Sequence, residues 1–420
     1  MNVAISADRY AHSYTSGSAA ALERIAYLGL CAFLFSLPWE EAPQLDGFAL
    51  SRWLGAATLG LTLLELAVKN ERRSLSVAHS LMASFVALSS VSVFWSADAE
   101  STFTRIGTYS QLLIVVWLIW ELAPAEVRVL GLMRAYLLGI FVASMITLYN
   151  FASGTTAAQL EAARGVERWQ ESRYSIMGVN ENDLGLMLAM SMPLMLYLVI
   201  RVKSNAMKVF LWIQLVACIA AILLTGSRGA LLSATIASAM LPLSFRLLPS
   251  PQKVAAALAC AGAAACAIFF IPAETWGRLL LFSTELTQGT LTHRTLIWSA
   301  GLAAFREHPF LGIGSGAYAA TVLRVVNVPY VAHNTFISVL VELGIFGALL
   351  ILALIASLYY IAFRMRGLER RLWITVVLTW TVGVMALTWE YRKPTWIMFG
   401  LLVAHAYSRR TRAIPFAKVL

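Results

Sequence analysis

A small set of polar residues lies at the ends of long apolar segments. Arg228 lies in "AILLTGSRGALLSATIA", Arg294 lies in "THRTLIWSAGLAAFREHP", and His333 and Asn334 directly precede "TFISVLVELGIFGALL". An arginine binds phosphate through its planar fork of donors, and a histidine accepts a proton near neutral pH. If the fold brings these residues together, they suit chemistry on a phosphate-bearing molecule.

Each of these residues also has a structural explanation. Arg228 lies between Gly226 and Gly229, in a hairpin where a long side chain can extend to the membrane surface. Arg294 is in the first turn of a predicted helix, where it opposes the helix dipole, so it either pairs with a glutamate or meets an anion. A lone histidine such as His333 is more often structural than catalytic. Whether these three residues are functional or structural depends on where the fold places them.

The composition indicates a membrane protein. The 420 residues are 59% hydrophobic and 13% charged, with a mean hydropathy of +0.73, whereas a soluble domain is about half apolar and a quarter charged. The sequence therefore predicts an all-α polytopic membrane protein with about twelve transmembrane helices. A β-barrel would show short alternating segments instead of continuous apolar runs. The apolar segments are 25–38, 48–68, 78–96, 106–123, 129–151, 183–200, 207–225, 229–248, 253–272, 334–363, 372–389 and 395–408.

The positive charges predict an orientation. With the N-terminus assigned to the cytoplasm, 19 of the 32 lysine and arginine residues fall in short cytoplasmic loops and 12 on the opposite side. Both termini are then cytoplasmic, and two long loops, 152–182 and 273–332, face outward. The chain divides into nine helices within 1–272, an external helical loop at 273–332, and three helices with a cytoplasmic tail at 333–420. The net charge of +10 follows this loop pattern, so no nucleic acid is expected.

The second long loop predicts a helix followed by a turn. Helical spacing puts one apolar face on the helix, with Thr292 as a possible cap and Pro309 after its end. The turn "FLGIGSGAY" is either a phosphate cradle or a flexible connection, and both remain open. The residues predicted to share the apolar face are Leu296, Ile297, Ala300, Ala304 and Phe305.

The first long loop ends in a polar stretch beside an apolar segment. In "GVNENDLG", Asn180, Asn182 and Asp183 either cap the helix or bind a polar ligand. For most of the charged residues before this stretch, a solvated surface is the expected role. Those residues are Glu161, Arg164, Glu167, Arg168, Glu171 and Arg173.

No metal site or cofactor is expected. The four cysteines, Cys31, Cys218, Cys260 and Cys266, all lie in apolar segments and are interpreted as small hydrophobic residues. Neither a CxxC nor an HExxH spacing occurs in the sequence.

Three motifs together resemble those of the O-antigen ligase and polymerase superfamily. His333 and Asn334, followed after nine residues by Gly344 and after two more by Gly347, are similar to the signature of that family. "SRGA" and "HRTLIWSAGLAAFREHPFLGIGSGAY" resemble two further segments, and "GVNENDLG" is similar to a third, with Glu181 where the family has proline. The resemblance spans roughly 160–365. The two signature glycines are expected to allow close helix packing.

The resemblance implies a GT-C-like glycosyltransferase fold in the bacterial inner membrane. Such an enzyme transfers a glycan from undecaprenyl pyrophosphate to a sugar of lipid A-core at the periplasmic face, without a metal and with inversion. By this resemblance His333 deprotonates or orients the acceptor hydroxyl, and Arg228 and Arg294 hold the donor pyrophosphate. Arginines can stabilise the charge that develops on that leaving group. The residues expected to bind substrate are Asn334, Asn180, Asn182 and Arg164.

Other functions remain possible. An O-antigen polymerase belongs to the same superfamily and is difficult to distinguish from a ligase. A protein O-oligosaccharyltransferase is less favoured, because such enzymes commonly carry an added outer domain and this chain ends shortly after its last apolar segment. A transporter of polyprenyl-linked glycans would favour ionisable groups at mid-bilayer, whereas the candidate residues here gather on one side.

Overall fold

The computed structural model describes residues 20–40, 50–69, 73–165, 173–270, 276 and 294–410. These residues form helices and connecting turns, and no strand occurs among them. The helices are α1 (Ala20–Trp39), α2 (Leu50–Lys69), α3 (Val77–Val91), α4 (Ala99–Leu122), α5 (Glu126–Ala152), α6 (Ala157–Ala162), α7 (Glu181–Arg201), α8 (Asn205–Leu224), α9 (Arg228–Ser238), α10 (Met240–Ser244), α11 (Ser250–Phe270), α12 (Arg294–Glu307), α13 (Tyr318–Val326), α14 (Thr335–Arg364), α15 (Gly367–Gly383) and α16 (Lys393–Arg410).

The chain is a helical protein with several membrane-spanning candidates. Each of the twelve apolar segments lies largely within helix in the structure. Among the described residues, nine helical stretches are long and apolar enough to cross a bilayer: Ala20–Trp39, Val77–Trp95, Ala99–Leu122, Glu126–Ala152, Glu181–Arg201, Asn205–Leu224, Arg228–Leu247, Ser250–Ile268 and Thr335–Arg364. The helices α2, α15 and α16 do not reach that threshold, so the expected total of about twelve spans stays a prediction.

The two ends of the bundle carry different contacts. One end, here called the loop end, brings together the connections that follow α3, α5, α8, α12, α13 and α15; for example, Ala97 N donates to Ile313 O at 2.8 Å. The opposite end, here called the basic end, carries ion pairs and hydrogen bonds of basic side chains, such as Arg201 with Glu126 and Arg371 with the carbonyl of Leu243. Successive connections therefore lie at opposite ends of the bundle, as the distribution of lysine and arginine predicts for successive loops.

Helix α7 runs through the centre of the bundle, where most of its residues are buried. It packs closely on the hairpin between α8 and α9, because Gly185 has no side chain there. A β-carbon on Gly185 would lie only 2.4 Å from the β-carbon of Ala230. The start of α7 is thereby held next to the start of α9, which places two of the predicted site segments side by side.

Helix α14 is broken at Gly344, where the backbone is left-handed with φ 65°. The segment 309–314 fills this break and satisfies its backbone groups. Ile345 N donates to Pro309 O at 2.9 Å, and Ile313 N donates to Val341 O at 3.1 Å. A β-carbon on Gly344 would lie 2.2 Å from the carbonyl oxygen of Phe310. Gly344 therefore provides a backbone conformation and room for the segment 309–314, which is a turn and not the closely packed helix expected from the sequence.

The structure of 273–332, the second of the long loops, partly matches the prediction. The expected helix is present as α12, with Ile297 and Ala300 buried on its inner face. Leu296 is 48% exposed, so it does not share the inner face of Ile297 and Ala300 as predicted. Helix α13 directly follows the glycine-rich turn and was not predicted. Thr292 and nearly all of 273–293, like Arg168, Glu167 and Glu171, lie outside the described residues.

Candidate active site

The segments that carry the predicted site residues meet at the connection between α15 and α16, residues 384–392. Thr335 N donates to Val384 O at 3.0 Å, and the Thr335 hydroxyl donates to Leu387 O at 2.9 Å. The same hydroxyl accepts a hydrogen bond from Trp389 N at 2.8 Å. The first turn of α14, directly after His333, is thus fastened to this connection.

Asn334 caps helix α14. Its Oδ1 accepts hydrogen bonds from Phe336 N at 2.9 Å and Ile337 N at 3.1 Å, which satisfies two amides at the helix start. Its Nδ2 donates to Met385 O at 3.0 Å. The side chain therefore holds the start of α14 against the 384–392 connection, while its role in binding substrate stays a prediction.

His333 has an unusual backbone conformation, and the residue before it accepts a hydrogen bond from a tryptophan. Its φ is +48°, a region that non-glycine residues seldom adopt. Trp298 of α12 donates its indole N–H to Ala332 O at 2.7 Å, directly before the histidine. The loop that carries α12 is thereby tied to the chain at His333.

The protonation of His333 depends on its surroundings. Burial, and then the positive charge of nearby Arg294, lower the pKa of His333 to about 4. The imidazole is therefore neutral at pH 7 and can accept a proton. Arg294 therefore lies within electrostatic reach of His333, although the two residues are 39 apart in the sequence.

Arg228 begins helix α9 at the loop end. Ser227 caps the helix by accepting a hydrogen bond from Ala230 N at 3.3 Å, and Arg228 is half-buried. A β-carbon on Gly229 would lie 3.3 Å from the β-carbon of Ala386. The hairpin that carries Arg228 therefore packs on the same connection that holds Asn334.

Arg173 links the first long loop to this hairpin. Its Nε donates to Thr225 O at 2.7 Å, and its Nη2 donates to Asn182 Oδ1 at 2.9 Å. Its Nη1 lies 3.8 Å from Glu181 Oε2, and only 14% of its side chain is exposed. The expectation of a solvated surface was therefore wrong for Arg173, because its partners come from segments distant in the sequence.

The start of α7 also reaches the 384–392 connection. Asn180 caps α7 through a 2.9 Å hydrogen bond from Asn182 N. Asp183 Oδ1 accepts the indole N–H of Trp389 at 2.8 Å, and its Oδ2 lies 2.8 Å from Arg392 Nη2. Trp389 and Arg392 were not singled out from the sequence. The aromatic and charged residues of "TWEYRK" between two apolar segments are the signal that could have identified them.

Arg164 lies at the edge of this arrangement. Its Nη1 is 3.6 Å from Glu161 Oε1, and 41% of its side chain is exposed. The same Glu161 oxygen accepts a hydrogen bond from Gly178 N at 3.0 Å. Arg164 thus approaches the asparagine segment through Glu161, and its binding role stays a prediction.

The glycine-rich turn uses its backbone amides within the protein. Amides that are already hydrogen-bonded cannot cradle a phosphate, so the alternative of a phosphate-binding turn is wrong here. The turn instead is a packed connection between α12, α13 and the break in α14. The six hydrogen bonds run from Gly312 to His308 O, Ile313 to Val341 O, Gly314 to Glu342 O, Ser315 to Ser92 Oγ, Gly316 to Glu342 Oε2 and Ala317 to Gly314 O.

A buried charged cluster lies below the first turn of α14. Ser338 donates to Glu390 Oε1 at 3.0 Å, and Gly316 N donates to Glu342 Oε2 at 2.7 Å. The Arg105 guanidinium lies 3.5 Å from the centre of the Tyr391 ring, and the charges of both glutamates act on it. This cluster was not predicted, although a glutamate in the apolar run "VLVELGIF" indicates such a site.

The described residues offer no obvious metal site. Among them, no three histidine, cysteine, aspartate or glutamate side chains are grouped so that they could hold a metal ion. The groups that these segments do carry are arginine side chains and the neutral imidazole of His333. Arg228, Arg294, His333, Asn334, Asn180 and Asn182 all lie on segments that meet at the loop end.

These features define a multi-pass helical membrane protein with a histidine and several arginines at one end of its bundle. A family model described as O-antigen ligase matches residues 213–352, which include Arg228, Arg294 and His333. This match supports membership of the O-antigen ligase superfamily, whose members are glycosyltransferase-like ligases and polymerases. No curated protein matches the chain.

Proposed function

We propose that this protein transfers an O-antigen polysaccharide from undecaprenyl pyrophosphate to a sugar hydroxyl of lipid A-core, completing lipopolysaccharide. The proposal places the protein in the bacterial inner membrane with a GT-C-like fold. The loop end faces the periplasm, and the basic end and both termini lie in the cytoplasm. The charge distribution supports this orientation, because basic residues concentrate in short loops on one side.

The observation that carries the proposal is the approach of Arg294 to His333. The positive charge of Arg294 acts on the imidazole, so an anion bound to Arg294 would lie next to a proton acceptor. The hairpin with Arg228 packs on the connection that anchors the residue after His333. A pyrophosphate and a hydroxyl can thus be held at one site.

The proposed reaction is a single displacement at the anomeric carbon. The acceptor oxygen forms the new glycosidic bond as its proton passes to the neutral imidazole of His333. The bond between the anomeric carbon and the phosphate oxygen breaks, and its electron pair leaves with undecaprenyl pyrophosphate. Arg228 and Arg294 stabilise the negative charge of that leaving group. Attack from the opposite face inverts the anomeric configuration.

The remaining predicted residues would position the substrates. In this proposal Asn334, Asn180 and Asn182 border the site, and Arg164 lies at its outer edge. Asn180 and Asn334 also cap helices, so their removal would affect structure as well as binding. Asn182 accepts its hydrogen bond from Arg173, and the amide nitrogen of such a side chain offers further donors to a glycan.

Purified protein incubated with lipid-linked glycan and purified lipid A-core tests this function. Glycosylated lipid A-core should form, with and without EDTA, because the proposed mechanism uses arginines in place of a metal. Longer lipid-linked glycan without lipid A-core product would identify a polymerase, and glycosylated protein an O-oligosaccharyltransferase. Movement of the lipid across a vesicle membrane without transfer would identify a transporter. Loss of activity in EDTA, restored by magnesium, would exclude the arginine-based mechanism.

A further inference from the structure

Arg134 is a charged residue on the membrane-facing side of helix α5. It is the one basic residue that the count of loop charges assigns to neither side, because it lies within the apolar run 129–151. It is exposed, and it follows the helical spacing of an exposed apolar face made by Val127, Leu138, Met145 and Tyr149. A charge on such a face is costly in lipid, and ionisable residues within membrane segments usually mark a functional site.

The depth of Arg134 puts its side chain within reach of one membrane surface. Helix α5 runs from Glu126 to Ala152, which is about 40 Å at 1.5 Å per residue, whereas the hydrocarbon core is about 30 Å thick. With the excess divided equally, the α-carbon of Arg134 lies roughly 7 Å inside the hydrocarbon at the basic end. Side chains tilt towards the start of their helix, and α5 starts at the basic end, where Glu126 pairs with Arg201. The guanidinium can therefore extend to the phosphate level of that leaflet.

The described residues leave Arg134 and Arg24 without an anionic partner. Neither guanidinium makes a hydrogen bond or an ion pair in the parts of the chain that the structure describes. The carboxylate next to Arg24 in the chain is Glu23. It lies 2.5 Å from Arg128 Nη1 and 3.7 Å from Lys69 Nζ, so it already has two cations. Two positive charges at the basic end are thus left for an anion that comes from the bilayer.

Tyr27 of α1 places the two arginines at one seam between α1 and α5. A β-carbon on Gly131 would lie 2.0 Å from the Tyr27 hydroxyl, so the tyrosine packs directly on α5. Arg134 is one turn further along α5 than Gly131, and its positive charge acts on Tyr27. Arg24 is three residues before Tyr27, so it is on the same side of α1. A phosphate at this seam would therefore meet both guanidinium groups.

We propose that Arg24 and Arg134 bind the phosphate of an anionic phospholipid in the leaflet at the basic end. The phosphodiester matches the forked donors of arginine, and the bilayer holds it near the depth that Arg134 reaches. A soluble anion would lose its hydration to reach this depth. The acyl chains would lie along the apolar face of α5 that continues to Tyr149. The site is at the opposite end of the bundle from His333, so the proposal does not depend on the proposed function.

Binding of two lipids to the purified protein tests the proposal. The protein is equilibrated with phosphatidylglycerol or with phosphatidylcholine of the same acyl chains, and bound lipids are counted by native mass spectrometry. Arg134→Gln and Arg24→Gln each remove one charge from the site. Arg306→Gln removes an exposed cation from α12 and is the matched control for net charge. Wild-type protein in nanodiscs is also cross-linked to phosphatidylglycerol with a photoreactive headgroup, and the labelled peptides are mapped.

The wild type should bind phosphatidylglycerol more tightly than phosphatidylcholine. Arg134→Gln and Arg24→Gln should each weaken phosphatidylglycerol binding by about fivefold, equal to about 1 kcal/mol, and leave phosphatidylcholine binding unchanged. Arg134→Lys should recover only part of the affinity, because an ammonium keeps the charge and lacks the fork. Arg306→Gln should bind like the wild type. The cross-links should map to α1 or to the first half of α5.

Four results would overturn the proposal. They are equal binding of the two lipids by the wild type, unchanged phosphatidylglycerol affinity in both site variants, an equal loss in Arg306→Gln, and cross-links confined to other helices. The melting temperature in phosphatidylcholine nanodiscs is a further check. Arg134→Gln should be at least as stable there as the wild type, because it removes an unpaired charge from lipid. A lower melting temperature would mean that Arg134 has its partner within the protein, which would also overturn the proposal.

Discussion

The indole nitrogen of Trp298 donates a 2.7 Å hydrogen bond to the carbonyl oxygen of Ala332. Arg294 lies four residues before Trp298 on the same helix, so both side chains share one face of α12. This spacing explains how Arg294 reaches His333, the residue after Ala332. Helix α12 is therefore positioned by a contact with the backbone of the segment that carries His333.

The main effect of Trp298→Phe should be on the rate of glycan transfer, with a smaller effect on the melting temperature. The change removes the donor and leaves the buried carbonyl of Ala332 without it, a loss of about 1–3 kcal/mol. A displacement of about 1 Å at a reacting group can cost roughly 100-fold in rate, so we expect transfer to fall about tenfold or more. Transfer rate and melting temperature are measured on the same preparation.

Tyr318→Phe is the matched control for Trp298→Phe. It removes a hydrogen bond of 3.0 Å between the Tyr318 hydroxyl of α13 and Ile297 O of α12. The bond to Ala332 is retained, so transfer should fall less than in Trp298→Phe. An equal loss of transfer in both variants would show that the link to Ala332 has no specific role.

The pKa of His333 can be measured without any substrate. The rate at which diethyl pyrocarbonate modifies a histidine follows its neutral fraction, and mass spectrometry assigns the rate to His333. In wild-type protein the rate should decline only as the pH falls towards 4, because burial and Arg294 lower the pKa of His333 to about 4.

Arg294→Gln should shift that decline to higher pH. Loss of the positive charge makes the protonated imidazole less unfavourable, so the pKa of His333 rises. It should remain below the ordinary value of about 6.5, because burial, the larger cause, persists. Arg306→Gln removes an exposed cation from the other end of α12 and should leave the profile unchanged. Identical profiles in all three proteins would place Arg294 too far from His333 to act on it.

Gly344→Ala should destabilise the protein. The backbone at this position, with φ 65° and ψ −163°, costs an alanine about 1–3 kcal/mol, and its β-carbon would lie 2.2 Å from the carbonyl oxygen of Phe310. Gly107→Ala is the control, because Gly107 is helical and has open space around its α-carbon. The midpoint of thermal unfolding should fall for Gly344→Ala and stay unchanged or rise for Gly107→Ala. Equal midpoints would mean that the break in α14 does not need glycine.

The helical architecture was predictable because its cause is local. An apolar run of about 20 residues must satisfy its own backbone hydrogen bonds in lipid, and only a helix does so within one segment. The twelve apolar runs are accordingly largely helical. The buried face of α12 at Ile297 and Ala300 followed from helical spacing in the same way.

The break in α14 was not predictable from its own segment. Residues 334–363 appear as one continuous apolar run, and glycine is common in membrane helices. The left-handed conformation of Gly344 depends on the segment 309–314, which supplies hydrogen-bond partners on both sides of the break. These partners lie about 30 residues before Gly344 in the chain, so the sequence around Gly344 does not reveal them.

The candidate residues were selected by residue type, and the segments that hold them in place were not predicted. Histidine and arginine can be recognised as candidates from their chemistry alone, and the structure brings Arg294 to His333. The 384–392 connection was missed, because its contacts link positions far apart in sequence, such as Trp389 with Asp183. No local pattern indicates such a pair.

The last prediction separates the role of His333 from that of Arg228. His333→Ala should reduce transfer by about 10²–10⁴-fold, the usual cost of losing a general base, and should leave donor binding intact. Arg228→Ala should weaken donor binding as well as transfer, and Arg228→Lys should recover only part, because an ammonium lacks the bidentate fork. Arg324→Ala removes an exposed cation from α13 and controls for net charge. Donor binding by native mass spectrometry and transfer to lipid A-core are measured in parallel. Near-normal transfer by His333→Ala would remove the base assignment, and unchanged donor affinity in Arg228→Ala would leave Arg228 as a residue of the hairpin structure alone.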